Sequence, residues 1–180
     1  MTSFVSLLRG INVGPNTTVK MDDLVVLYRT LGLENVRTYL RSGNVLFDAQ
    51  DREPDTLAAA IEKSLALAVG FPVKVIIRTC EDLSRIAADN PFLQEQACDP
   101  GTLHVTFLSG LPPAGPDGET NRGQNDQDRF IIMGTEVYLC CPHGYGRTKF
   151  SNAFFEKRLA LVATTRNWKT VTALAEMAKE

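Results

Sequence analysis

Val36-Arg37-Thr38-Tyr39-Leu40-Arg41-Ser42-Gly43-Asn44-Val45-Leu46-Phe47-Asp48 is the stretch that decides the fold. Val36 to Arg41 reads as a strand, with Val36, Thr38 and Leu40 on one face and Arg37, Tyr39 and Arg41 on the other. Ser42-Gly43 is a turn signal, and Asn44 to Asp48 resumes as the partner strand. The segment therefore predicts a β-hairpin.

The flanks supply helices and two more strands. On the N-terminal side Met21, Leu24, Val25, Tyr28 and Leu31 form one helical stripe, with Asp22 and Asp23 in the first turn and Gly32 as a stop. Before it come a compact apolar strand, Phe4 to Leu8, and a polar loop over residues 10–20. On the C-terminal side a helix begins near Pro54, buries Leu57, Ile61, Leu65 and Ala68, and stops at Gly70. Val73 to Arg78 reads as a strand. Residues 1–78 thus form a β-α-β-β-α-β half, the ferredoxin-like arrangement, in an α+β fold.

Residues 79–180 read as a second α+β half of similar size. Thr79 and Asp82 resemble a capping box for a short helix to Asp89, which Asn90-Pro91 ends. Leu103 to Leu108 is a strand, and Phe130 to Met133 pairs with Glu136 to Cys141 across Gly134-Thr135. Residues 109–126, rich in proline and glycine, read as a mobile loop. Two helices close the chain, from about Ser151 to Ala160 and from about Asn167 to Lys179. The second half has the outline of a degenerate duplicate of the first, although no residue-level repeat is legible.

Composition narrows the function classes. Hydrophobic residues make up 44% and charged residues 22% of 180, as in an ordinary globular protein. Net charge is −2 and the pI about 5.7, which disfavours a dedicated nucleic-acid binder without a local basic patch. The first residues lack a basic leader and a cleavage site, and no apolar run is long enough to span a bilayer. The expectation is a cytoplasmic protein, no membrane association, and four cysteines held as thiols.

Several segments resemble an uncharacterised bacterial family, domain of unknown function sixteen ninety-seven. They are Leu7-Leu8-Arg9-Gly10-Ile11-Asn12-Val13-Gly14, Lys20-Met21, Thr38 to Phe47, Asn90-Pro91-Phe92, Val105 to Leu108, Glu136 to Leu139 and Thr164 to Trp168. The resemblance spans nearly the whole chain and implies an α+β fold and a bacterial cytosolic setting, with no reaction. Where the family carries a Gln-Ser-Gly-Asn turn, this chain has Arg41-Ser42-Gly43-Asn44, which adds a charge.

The strongest candidate site is the loop Arg9-Gly10-Ile11-Asn12-Val13-Gly14. It follows a strand and precedes a helix, so exposed backbone amides with Arg9 and Lys20 could hold an anion. It is neither a Walker loop nor a Rossmann turn. The structural reading is that Gly10 and Gly14 supply positive φ while Asn12 bonds backbone. The Ser42-Gly43-Asn44 turn, Arg166 and Asn167 are the other candidate ligand-binding residues. Asn167 is equally a helix cap, and Arg166 could share an anion with Arg9. The sheet face of Arg37, Tyr39 and Arg41 also suits stacked bases, or packing on the second half or on another subunit.

Metal and nucleophilic chemistry find no support. Cys140 and Cys141 point to opposite faces of a strand, Cys80, Cys98 and His104 are scattered, and no G-x-S-x-G elbow exists. No cofactor and no metal is expected, and no catalytic motif is recognisable. The reading is a cytosolic binder of a small anion, nucleotide or nucleic-acid segment. The alternatives are an enzyme on a phosphorylated or carboxylated substrate, and a structural module that forms a homodimer.

Overall fold

The structure, a computed structural model, describes residues 1–50, 53–95, 98–113, 122–125 and 127–179. The chain divides into two compact units, Met1–Ser84 with Leu174–Glu180, and Arg85–Ala173. The fold is α+β, with one antiparallel sheet in each unit.

The first unit follows the order read from the sequence: β1 (Thr2–Arg9), α1 (Met21–Thr30), β2 (Glu34–Tyr39), β3 (Asn44–Ala49), α2 (Pro54–Val69) and β4 (Lys74–Thr79). The strands lie in the order β2-β3-β1-β4. Alternate residues Phe4, Leu8, Val45, Phe47, Val75 and Ile77 meet Leu24, Tyr28, Leu57, Ile61 and Leu65 of the two helices in one core. Ser6 shares that face, and its hydroxyl bonds the Tyr28 hydroxyl at 2.7 Å, so the buried polar pair satisfies itself. The other face is not bare: Val5, Leu7, Leu46, Ile76 and Arg78 are all buried. A strand buried on both sides has to be apolar nearly throughout, which is the reason for the unbroken run at Phe4 to Leu8.

The second unit holds β5 (Leu103–Leu108), β6 (Arg122–Asn125), β7 (Asp128–Met133), β8 (Glu136–Cys140), α4 (Asn152–Leu159) and β9 (Ala163–Asn167), in the order β6-β7-β8-β5-β9. α3 (Cys80–Ala88) and α5 (Trp168–Met177) cross the boundary between the units. Two strands depart from the sequence reading. Residues 122–125, expected in a mobile loop, pair with β7 as a strand; residues 114–121 and 126 of that loop lie outside the described residues. Residues 163–167, where only a helix cap at Asn167 was expected, form β9 against β5. β9 escapes a hydrophobicity reading because most of its side chains are polar and bonded within the unit: Thr165 Oγ1 lies 2.6 Å from Thr106 Oγ1, and donates to Asn152 Oδ1 at 2.6 Å.

The registers expose a repeat that the sequence hides. β1 lies between β3 and β4 as β5 lies between β8 and β9, and β2 flanks β3 as β7 flanks β8. α2 joins β3 to β4 as α4 joins β8 to β9. Leu8 donates its N–H to Gly43 O at 2.9 Å, and Leu108 donates to Thr135 O at 2.9 Å. Leu7 faces Asn44 as Phe107 faces Glu136, and Val5 faces Arg78 as Val105 faces Arg166. Val5-Ser6-Leu7-Leu8 therefore corresponds to Val105-Thr106-Phe107-Leu108. Both arginines are buried, and each donates Nη1 to the carbonyl of the residue before it at 2.9 Å. Each closing strand also runs straight into a capped helix. Asp82 N–H donates to Thr79 Oγ1 at 3.0 Å, and Thr170 N–H donates to Asn167 Oδ1 at 2.8 Å.

Two cysteines are not thiols. Cys98 and Cys140 form a disulfide across a sequence separation of 42, correcting the expectation for this pair, while Cys80 and Cys141 are free. The pairing comes from the return of the chain into β5, where Leu103 faces Cys140. Closing a loop of this length stabilises the fold by about 2–4 kcal/mol. Reduction, or Cys98→Ser, should lower the denaturant midpoint accordingly, whereas Cys80→Ser should leave the oxidised midpoint unchanged. Equal midpoints with and without reductant would show that the bridge contributes nothing.

Candidate functional site

The loop after β1 and the turn between β2 and β3 form one surface. Asn12 is the joint. It is left-handed, with φ 54°, and its N–H donates to Thr17 O at 2.8 Å. Its side chain bonds both polar groups of Val19, accepting from N at 2.9 Å and donating to O at 3.0 Å. The same amide nitrogen donates to Arg41 O at 2.7 Å, fastening the loop to the turn.

Gly43 makes the approach close enough. Its φ is +79°, and a Cβ there would sit 2.6 Å from Ile11 Cδ1 and 2.8 Å from Leu8 Cβ. Asn44, fully buried, donates to Tyr39 O at 2.7 Å and to Ser42 Oγ at 3.1 Å, closing the turn from inside. Gly10 is also left-handed, at φ 77°, but has nothing near its missing side chain. Gly14 departs from expectation: at φ −171° and ψ 175° it is extended backbone, and it starts the single 3-10 turn Pro15–Thr17.

Three backbone amides of this loop are already engaged within it. Asn12 N–H and Val13 N–H are both spent on Thr17, through its carbonyl and its hydroxyl, and Val19 N–H is spent on Asn12. Nor does the start of α1 stand bare, because Asp22 and Asp23 already occupy its first turn. What remains is side-chain charge. Lys20 precedes α1 without capping it and is exposed, Arg41 is exposed, and Arg9 is half-buried at the end of β1. Residues 9–20 and 40–44 together carry these three cations and no carboxylate.

The other two expected ligand residues belong to the second unit, on β9. Arg166 is buried and donates to Thr164 Oγ1 at 2.8 Å and Thr165 O at 2.9 Å, while Asn167 caps α5. Both have structural work. His104 stacks on Tyr145 with ring centroids 4.9 Å apart, and burial pulls its imidazole below the usual range, partly offset by its bond to Thr102 O. Tyr145 in turn donates to Thr165 Oγ1 at 3.0 Å. Burial, helped by the Glu136 carboxylate, pushes the Tyr138 phenol up to about 12. Among the described residues no three histidine, cysteine or acidic side chains are grouped to hold a metal ion, and no helix is long and apolar enough to cross a membrane.

Residues 1–138 match the sequence profile of a family described as "Protein of unknown function (DUF1697)". The chain belongs to this family. The solved structure of the conserved bacterial protein SP0830 from Streptococcus pneumoniae matches it with a TM-score of 0.73 and 24% identity, covering 100% of this chain and 99% of that one. That likeness establishes a shared fold. No curated protein matches the chain. The DUF1697 match takes in the whole loop-and-turn surface and stops short of Arg166 and Asn167.

The two left-handed glycines should respond differently to a methyl group. Gly43→Ala adds a clash with the backbone-anchored Leu8 Cβ to the cost of the left-handed conformation, and should lose about 2–4 kcal/mol. Gly10→Ala meets open space and should lose about 1–2 kcal/mol. Chemical denaturation of both variants checks the order; a larger loss at Gly10 would contradict the packing at Gly43.

Proposed function

We propose that this protein is a bacterial cytosolic binding protein for a small anionic ligand, nucleotide or short nucleic-acid segment, held at the joined loop and turn of the first unit. The observation that carries the reading is the pairing of residues 9–20 with residues 40–44 through Asn12, which concentrates Arg9, Lys20 and Arg41 without a carboxylate. In a chain of net charge −2, such a segment is a local positive field that attracts an anion. The ligand contacts are side chains: Arg41 and Lys20 from solvent, Arg9 from the strand end. The strand order of the first unit is that of the ferredoxin-like arrangement, and its β1–α1 and β2–β3 connections emerge at the same end of the sheet.

The disulfide is compatible with a cytosolic setting because both cysteines are buried, at 6% and 1% exposure, and exchange with a reductant needs access to sulfur. Nucleic acid suits the surface less well than a small anion. The sheet face bearing Arg37 and Tyr39 also carries Val5, Leu7 and Leu46, all buried, so it does not stand open for stacked bases.

Thermal melting against phosphate, nucleoside phosphates and short single-stranded RNA tests the proposal. At a hundred times its dissociation constant a ligand adds about 2.7 kcal/mol, which raises the melting temperature of a chain this long by roughly 5–10 °C. The shift should appear in the wild type, fall with added salt, and be lost in Arg41→Ala, whose exposed side chain is not needed for folding. No shift with any anion, or an equal shift in Arg41→Ala, would overturn the reading.

A further inference from the structure

A cleft separate from the proposed anion surface lies at the opposite end of the first sheet. A cleft of about 540 Å³ opens where β1 begins and β3 ends. β1 runs from Ser3 at this cleft to Arg9 at the other end, about 20 Å away at strand rise. β2 is irregular here: the register with β3 shifts between Glu34 and Arg37, and Asn35 is left-handed at φ 48°. The irregular residues Asn35, Val36 and Arg37 line the cleft.

The polar lining carries both signs of charge. Asp48 sits on the wall, its Oδ1 accepting the Ser3 hydroxyl at 2.6 Å and its Oδ2 accepting Asn35 Nδ2 at 2.6 Å. An ionised carboxylate has about four acceptor positions, so each oxygen has capacity for a further donor. Arg37 is anchored by donating Nη2 to Met177 O at 2.8 Å, and exposed Arg29 stands at the rim. The half-exposed thiol of Cys80 completes the wall. Burial pushes that thiol upward; the Asp48 carboxylate adds to the rise and the Arg37 guanidinium offsets part of it, so both charges act at this sulfur.

We propose that this cleft binds a small zwitterion, an amino acid or a dipeptide, with its carboxylate toward Arg29 at the rim and its ammonium toward Asp48. A simple anion would meet the Asp48 carboxylate, and a simple cation would meet the Arg29 guanidinium. A ligand with both groups a few ångströms apart matches each charge with its opposite. The volume lies within the range of small-molecule sites, about 300–1,000 Å³.

Cys80 supplies the readout. An aromatic disulfide reagent should label it in the intact, oxidised chain, and Cys80→Ser gives the background from buried Cys141. The probes are the individual L-amino acids, glycylglycine, acetate and methylammonium, each at millimolar concentration. At ten times its dissociation constant a zwitterion occupies about nine-tenths of the sites and slows labelling about tenfold. Protection by amino acids but not by glycylglycine, or the reverse, identifies the size of the ligand, and either supports the site. Arg29→Ala should keep the unliganded labelling rate and the melting temperature while losing the protection. Arg41→Ala should keep the protection in full, so this site stands or falls separately from the loop-and-turn surface. The proposal is overturned if no zwitterion slows labelling, if acetate alone slows it as much, or if Arg29→Ala remains protected.

Discussion

The first unit depends on the contact at Gly43. Leu8 N–H bonds its carbonyl, and the absent side chain lets the turn rest on Ile11 Cδ1 and Leu8 Cβ. This fixes where β3 begins relative to β1. Register in a sheet with two buried faces is unforgiving, because a slip of one residue exchanges them. With Leu7 held opposite Asn44, Val45, Phe47 and Ala49 turn to the helices while Asn44, Leu46 and Asp48 take the other face. Slipped by one, the carboxylate of Asp48 would take the place of Phe47 in the core, against Tyr28 and Phe4, which is far costlier than losing a contact. The core, the loop-and-turn surface at one end and the charged cleft at the other all follow from that register.

The second unit solves the same problem with different residues. Thr135 O takes the place of Gly43 O, Glu136 that of Asn44, and Arg166 that of Arg78. Where the first unit satisfies Ser6 with Tyr28 from α1, the second satisfies Thr106 with Thr165 of the neighbouring strand. Thr165 Oγ1 has one proton and two lone pairs. It gives its proton to Asn152 and receives from Tyr145, which leaves Thr106 as its remaining donor. The network is complete without solvent or ligand. A complete network holds a strand in place, and that suits β9 to a structural role.

How much of this was legible follows from which forces leave a periodic trace. Burial of aliphatic side chains does: the stripes at Leu24, Tyr28 and Leu57, Ile61, Leu65 placed α1 and α2, and alternation placed the hairpin. Hydrogen bonding between hydroxyls does not, so β9, with Thr164, Thr165 and Arg166, was not read as a strand. Backbone pairing at an edge leaves no trace either, which hid β6. The repeat was unreadable because its equivalences preserve position and hydrogen bonding, while Asn44 becomes Glu136 and Leu7 becomes Phe107. Asn12 was rightly read as bonding backbone. Its reach to Arg41, 29 residues on, needed the structure, as did the meeting of Asn35, Asp48 and Cys80 in one cleft.

The loop-and-turn surface also shows what kind of binding it can support. A phosphate-binding loop gains affinity from amides aimed at the ligand before it arrives, at no cost in side-chain ordering. Here those amides are turned inward onto Thr17 and Asn12, so the glycines and Asn12 hold the loop in shape. Ligand energy then has to come from Arg9, Lys20 and Arg41, long side chains with rotamer entropy to lose, two of them in full contact with solvent. Charges in that position are screened within about 8 Å at physiological salt. Those costs set the loop-and-turn surface apart from a phosphate-binding loop, in which backbone amides hold the anion and no long side chain has to be ordered.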